Sequence, residues 1–379
     1  MYILVAPDKF RGSLEAVEVC RSASEGILLA FPDAEIVTVP LADGGEGTTK
    51  ILTQQSKGKF VKAAVQDPLG RLIEAEYGMS GDGTTAYIEM AAASGLNLLN
   101  SDERNPMLTH TMGTGHLILH AIEKGVREIV LGIGGSATND AGMGMAFVLG
   151  YTFLDENGIV LKPAGGNLGL IKSIKADHVH EKLKSVRFVI ACDVTNPLYG
   201  ETGAAFVYGP QKGASQTMVS ALDTGLQNIA QVAATTFGFD ISKQPGTGAA
   251  GGLGAGTIWF LNAILKEGVN IVMEHTQIES HVQKADLVIT GEGKVDEQTL
   301  SGKVVKGLAD LCRINDVPLA VVCGTLMITP DEARNAGITY AVSVLNRPLT
   351  LEQAEAEAYS LVRDATFQLV RLFFYKGRN

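Results

Sequence analysis

The sequence predicts an α/β fold in two domains: a parallel-sheet domain assembled from both chain ends, and a mixed α/β domain inserted between them. Three observations carry this expectation. Short apolar runs alternate with helical segments at both ends of the chain, the pattern of a parallel sheet covered on both faces. The central stretch instead offers closely spaced strands joined by tight turns. At 379 residues the chain also exceeds one ordinary core, since a domain takes about 100–200 residues. The expected limits are 1–60 with 255–379 for the outer domain and 61–254 for the insertion, the glycine-rich stretch Gly246–Gly256 leading back.

The elements follow in order. Tyr2–Ala6 is a short apolar strand, the polar turn Pro7–Ser13 leads into an amphipathic stretch from Leu14 to Ala30, and Glu35–Leu41 is a second strand. Phe60–Val65, Leu72–Tyr77 and Ala86–Met90 read as short antiparallel strands with turns at Pro68–Gly70 and Ser80–Gly83. Glu128–Ile133 and Val186–Ala191 are further strands among glycine-rich turns and helices. Asp286–Thr290 is a buried-type strand, followed by a polar loop Gly291–Lys303 and a helix from Val304. Pro318–Cys323 and Tyr340–Leu345 are strands. Thr329-Pro330-Asp331-Glu332 has a capping Thr, Pro at the first helical position and Glu at the third. Thr350 and Gln353 form a second capping box, and Leu351, Ala354, Ala358, Leu361, Val362, Ala365 and Leu369 line one face of a long final helix.

Composition narrows the function classes. The net charge of -10 works against non-specific attraction to nucleic acid or an anionic membrane. Cys20, Cys192, Cys312 and Cys323 lie far apart without a CxxC pair, which argues against a zinc site or a disulfide framework and fits a reducing cytosol. The N-terminus opens into a strand without a basic leader, and no stretch of about 18 apolar residues occurs. A soluble cytoplasmic protein is expected; its oligomeric state stays open.

Glycine, 44 residues, is clustered, and clustered glycine marks loops where backbone approaches a ligand or takes positive φ. Four clusters follow predicted strands, where open α/β sheets bind ligands. Asp8-Lys9-Phe10-Arg11-Gly12-Ser13 offers two cations and a hydroxyl for a carboxylate or phosphate, or a solvated turn with Ser13 as a helix cap. Asp43-Gly44-Gly45-Glu46-Gly47 sets acids among glycines, so that backbone can near a ligand while Asp43 or Glu46 reaches a hydroxyl or Mg²⁺. Gly132–Gly142 strings together Gly134, Gly135, Ser136, Thr138 and Asn139, a run of N–H groups and hydroxyls suited to phosphates. Thr111–Gly115, with Thr114, is either a second wall or close packing through small residues. Thr290–Lys303 holds Glu292, Gly293, Asp296 and Ser301, suited to a polyol or a phosphate, or else a solvated charged loop.

Asp193 ends the strand Val186–Ala191, where a general base is held rigidly; a carboxylate capping the Val194–Asn196 turn would look the same. No GxxxxGK[ST] or HRD and DFG set occurs. The single GxGxxG, Gly246–Gly251, follows a polar stretch instead of a strand, so a dinucleotide reading fails its context test.

Taken together, these segments resemble the type I glycerate kinase family. The residues that carry the likeness are Ala6–Leu14, Pro40–Thr48, Gly132–Gly144, Cys192–Leu198, Gly203–Gly213 (GAAFVYGPQKG), Gly246–Gly256 and Thr290–Lys303, in order along the chain. The resemblance implies a Rossmann-like domain with an inserted α/β domain, and D-glycerate and Mg·ATP as the small-molecule partners, meeting in a cleft. It implies transfer of the ATP γ-phosphate to glycerate, most often at the 2-hydroxyl, with a 3-phosphoglycerate-forming enzyme of the same fold as the alternative. On this reading Asp193, Lys9 and Arg11 are catalytic, with Asp193 the base and Asp296 or Asp43 in reserve. Asp8, Ser13, Asp43, Gly44, Gly45, Glu292, Gly293, Asp296 and Ser301 bind the acid. Gly134, Gly135, Ser136, Thr138, Asn139 and Thr114 bind nucleotide, and Glu46 is the metal candidate. Two rivals rank below it. An NAD-dependent hydroxy-acid oxidoreductase would place its glycine fingerprint where Asp8, Lys9 and Arg11 stand. A sugar-acid binding protein would have no use for a nucleotide loop.

Overall fold

A computed structural model describes residues 1–45, 47–300 and 303–375. In chain order the strands are β1 (Tyr2–Val5), β2 (Glu35–Thr38), β3 (Lys59–Gln66), β4 (Leu72–Met79), β5 (Thr85–Glu89), β6 (Glu128–Gly132), β7 (Thr152–Leu154), β8 (Ser173–Lys175), β9 (Arg187–Ala191), β10 (Ile264–Lys266), β11 (Leu287–Val295), β12 (Leu319–Leu326) and β13 (Tyr340–Ser343). The chain forms two compact units, one from Met1–Asp43 and the chain from Val269 on, the other Gly44–Gly268. Residues 44–60 and 255–268 therefore pack with the central unit. The glycine-rich stretch Gly246–Gly256, expected as a connection, lies wholly inside that unit.

The first unit carries a parallel sheet in the order β13-β12-β11-β1-β2. This is the doubly wound, Rossmann-like arrangement, and its strand order reverses between β1 and β11. Both faces are covered. Ile3, Val5, Ile289 and Val322 join one core with Val19, Ile27, Leu361 and Val370 from the helices Ala16–Ala30 and Ala358–Phe373. The alternate residues Leu4, Val288 and Val321 are equally buried, and the helix Val304–Ile314 packs on β11 and β12 with Val304, Val305, Leu308 and Cys312 inward.

Two expectations need correction here. Gly291–Val295 is strand, not loop: β12 continues in register beside it, pairing Glu292 with Cys323 and Val295 with Leu326, so backbone pairing overrides the weak strand preference of Gly-Glu-Gly-Lys. The final helix is broken at Glu357 into Leu351–Ala356 and Ala358–Phe373. Only the second segment carries the core stripe, and Leu351 is exposed. Both capping boxes, at Thr329 and Thr350, are formed.

The second unit holds a six-stranded mixed sheet, β10-β9-β6-β5-β4-β3. β10, β9, β6 and β5 run parallel, and β4 and β3 complete the sheet antiparallel. Its core gathers Tyr77, Ile88, Leu131, Phe188, Ile190, Leu253 and Trp259. The buried helix Ala249–Leu261 begins with left-handed backbone at Ala250, Gly251 and Gly252. A side chain at Gly251 would stand 2.0 Å from the Thr138 carbonyl, so the GxGxxG run serves close packing.

Candidate functional site

In the central unit, β6 and β9 are neighbouring parallel strands, and their carboxyl ends open into a cavity of about 320 Å³. Its wall includes Ile133–Ser136 after β6 and Cys192–Val194 after β9, together with Gly44, Gly45, Tyr208 and Lys212. Parallel sheets bind ligands outside the carboxyl ends of their strands, and the loops after β6 and β9 lie there.

The loop after β6 is pinned from below. Asp140, fully buried, accepts hydrogen bonds from Thr111 N (2.8 Å), Thr111 Oγ1 (2.8 Å), Gly142 N (3.2 Å) and Gly144 N (3.1 Å). Leu96 N donates to the Gly135 carbonyl, and Ala137 N to that of Ser94. Gly134, Gly135 and Ser136 reach the cavity wall, as their spacing after a strand suggested. Thr138 and Asn139 do not. Both are fully buried, and Thr138 Oγ1 and the Asn139 amide find no hydrogen-bond partner among the described residues. Thr114 is buried too, its hydroxyl paired with Ser94 Oγ at 2.8 Å, so Thr111–Gly115 packs against the loop and anchors it.

Lys212 was not singled out by sequence, although it stands in the quoted GPQKG segment. It is 1% exposed, and its Nζ donates to Ser136 Oγ at 2.7 Å and the Thr138 carbonyl at 2.6 Å. Burial pulls the ammonium down to about 7, against the attraction of Asp140. Only the tertiary fold turns this lysine inward.

Asp193 is exposed at the end of β9 in the cavity wall, where its Oδ1 accepts from Gly268 N at 2.8 Å. Gly44 faces it: φ is +90°, and a Cβ would lie 2.6 Å from Gly268 Cα and 3.0 Å from Asp193 Oδ2. Gly45 lines the same wall. Glu46, the metal candidate, lies outside the described residues, as does Ser301.

The other predicted residues belong to the first unit: Asp8–Ser13 follow β1, Glu292 and Gly293 lie in the last part of β11, and Asp296 follows it, β1 and β11 flanking the sheet's switch point. Asp8 N donates to the Gly291 carbonyl at 2.8 Å, tying the loop to β11. Burial pushes the Asp8 carboxyl up to about 6, with Asp43 adding to the rise and Lys9 and Arg11 opposing it. Burial likewise pushes Glu292 up to about 7; Thr299 and Lys303 oppose the rise, and Asp8 and Asp296 add to it. Glu292 Oε1 is buried without a hydrogen-bond partner among the described residues. Gly293 lets the Arg11 backbone approach, since a Cβ there would sit 3.3 Å from Arg11 N. The Arg11 guanidinium is 77% exposed, 3.8 Å from Asp43. Ser13 does not cap the helix; its hydroxyl donates to the Phe10 carbonyl, and Glu15 is the capping residue. Asp296 binds Lys294 at 2.8 Å and its own turn through Gln298 N and Thr299 N, and Lys294 holds its carboxyl below the usual range.

Among the described residues no three His, Cys, Asp or Glu side chains converge to hold a metal ion, and no helix is long and apolar enough to cross a membrane.

Comparison with known proteins identifies the family. Residues 3–374 match the model of the glycerate kinase family. A glycerate 2-kinase from Escherichia coli K12 is 44% identical over 379 residues, covering 100% of both chains. A glycerate kinase from Bacillus cereus is 43% identical over 354 residues, 93% of each. A solved structure of a candidate glycerate kinase 2 from Salmonella typhimurium LT2 superposes with a TM-score of 0.90 at 40% identity, covering 98% of both chains.

Proposed function

This chain belongs to the glycerate kinase family, and on that premise we propose that it transfers the γ-phosphate of ATP to a hydroxyl of D-glycerate. The observation that carries this reading is the cavity beyond β6 and β9, which sets a glycine loop and a buried amine near a strand-end carboxylate. Phosphoryl transfer is catalysed mainly by positioning and by stabilising charge, with a carboxylate orienting or deprotonating the attacking hydroxyl. These are the parts the cavity supplies. The Gly134–Ser136 backbone takes phosphate oxygens, Leu96, Ile133 and Tyr208 give apolar walls for the base, and Asp193 acts on the hydroxyl.

The acid is assigned to the first unit. Arg11 or Lys9 is proposed for the glycerate carboxylate or the transferred phosphate, and Asp8, Ser13, Asp43, Glu292, Gly293 and Asp296, with Ser301 outside the described residues, for its hydroxyls; Gly44 and Gly45, which belong to the second unit, stand as further proposed acid-binding residues. The raised Glu292 carboxyl suits an anionic ligand, because at about 7 it is partly protonated near neutrality, whereas Asp8, at about 6, stays mostly ionised there. Magnesium enters as Mg·ATP, held largely by phosphates and water with one or two protein carboxylates; it neutralises charge on the transferred group, and Glu46 is its proposed protein ligand. The 2-phosphate is the proposed product. Four free thiols suit a reducing compartment, and a cytoplasmic location belongs to the same proposal.

The test is ADP release by the whole chain supplied with Mg·ATP. Release that depends on D-glycerate is expected, and release indifferent to it would overturn the reading. Two variants test the division of roles. A side chain at Gly134 would meet nothing within 4 Å, so Gly134→Val is expected to fold normally and raise KM for ATP more than KM for glycerate; the reverse order would move this loop to the acid. Lysine replaces a bidentate guanidinium poorly, so Arg11→Lys is expected to raise KM for glycerate roughly tenfold, the scale of one charged hydrogen bond. Unchanged kinetics would remove Arg11 from the site.

A further inference from the structure

Burying an ammonium is costly unless charge or hydrogen bonds compensate it. Lys212 is buried, yet it lines the cavity beyond β6 and β9, and its amine reaches Ser136 in the same wall. Its two hydrogen-bond partners, Ser136 Oγ and the Thr138 carbonyl, are neutral. The acid that acts on it, Asp140, has its oxygens occupied by Thr111, Gly142 and Gly144. The cation is therefore short of negative charge beside a loop of glycines and hydroxyls suited to an anion.

We propose that Lys212 is the cation that meets the nucleotide's phosphate chain, and that its amine takes up a proton from solvent as the phosphates bind. The proposal rests on the kinase reading of this cavity and adds the group that supplies its positive charge. An ammonium has three donors; two are committed to Ser136 and Thr138, and the third remains for a phosphate oxygen. The charge itself varies with pH. Burial has lowered the amine to about 7, so above that pH the empty protein holds it mostly neutral, and an incoming polyanion draws the proton in. The titratable groups around it are few. Asp140 is the acid that acts on it; of the other titratable residues in the cavity wall, Asp193 is an acid, and burial pushes the Cys192 thiol and the Tyr208 phenol up, keeping both neutral. His110, which feels Asp140, is lowered by its own burial.

Calorimetric titration of the intact protein with Mg·ADP at pH 8, in two buffers of different ionisation enthalpy, counts protons taken up on binding. The nucleotide phosphates are fully ionised at that pH. Wild type is expected to take up about one proton per nucleotide, since a group of pKa near 7 is mostly deprotonated there. Lys212→Met is expected to bind roughly tenfold to a hundredfold more weakly, the range for a lost charged hydrogen bond, without the uptake. Lys212→Gln, uncharged but still able to donate to Thr138, carries the same expectation should the methionine variant not fold. Binding by wild type without proton uptake, or uptake that survives in either variant, overturns the proposal. Failure of wild type to bind Mg·ADP at all would instead overturn the nucleotide reading of the cavity, and this proposal with it.

Discussion

Replacing Asp193 by Asn is expected to lower the turnover number by roughly 10²–10⁴-fold, the usual contribution of a positioned general base, while the protein stays folded and still binds ATP. Asp193 stands just past β9, after Cys192, whose N–H still pairs with the Lys266 carbonyl, and its Oδ1 is held by Gly268 N at 2.8 Å. Asparagine keeps an oxygen for that bond and removes only the charge. The carboxylate is exposed in the wall that also carries the glycine loop and Lys212, where an attacking hydroxyl would need it. Turnover within about threefold of wild type, well below the loss expected for a base, would make Asp193 a backbone anchor and pass the role to Asp43. Asp296, the other reserve, is already occupied by Lys294 and its own turn.

Gly44→Ala is expected to cost about 100-fold in turnover, the scale of a misplacement near 1 Å at a reacting group. The added Cβ would press on Gly268 Cα, 2.6 Å away, and so displace the N–H that holds Asp193. The left-handed backbone at Gly44 adds a strain of about 1–3 kcal/mol. Gly47→Ala separates the two effects. Gly47 has φ +95°, but a Cβ there would meet nothing within 4 Å, so that variant suffers the strain alone and should lose stability with little loss of turnover. Equal losses of turnover in both variants would show that backbone strain, not displacement of Asp193, sets the effect.

Much of this was legible along the chain because the signals are local. The apolar runs of β1, β6, β9 and β12 are short and bounded, and the caps at Thr329 and Thr350 follow simple side-chain rules. The misreadings arose where long-range pairing decides. Gly291–Val295 looks like a loop until β12 lies beside it, and the break at Glu357 falls within an uninterrupted apolar pattern. Thr138 and Asn139 have the right chemistry for a phosphate loop, but the helix Ala249–Leu261 packs over them. Lys212 is the opposite case: a lone lysine in GPQKG reads as solvated, and only the fold buries it beside Ser136. Asp140 was hidden in the same way, its role as an anchor visible only once Thr111 and Gly144 converge on it.

Phosphorus NMR of the product formed from D-glycerate and Mg·ATP tests the central claim most directly. The account predicts that the γ-phosphate signal is replaced by ADP and a phosphomonoester signal split into a doublet by the single proton on C2. A triplet, from the two protons on C3, would keep the kinase and contradict the 2-phosphate product. Inorganic phosphate alone, with glycerate unchanged, would contradict the assignment of the chain as a glycerate kinase.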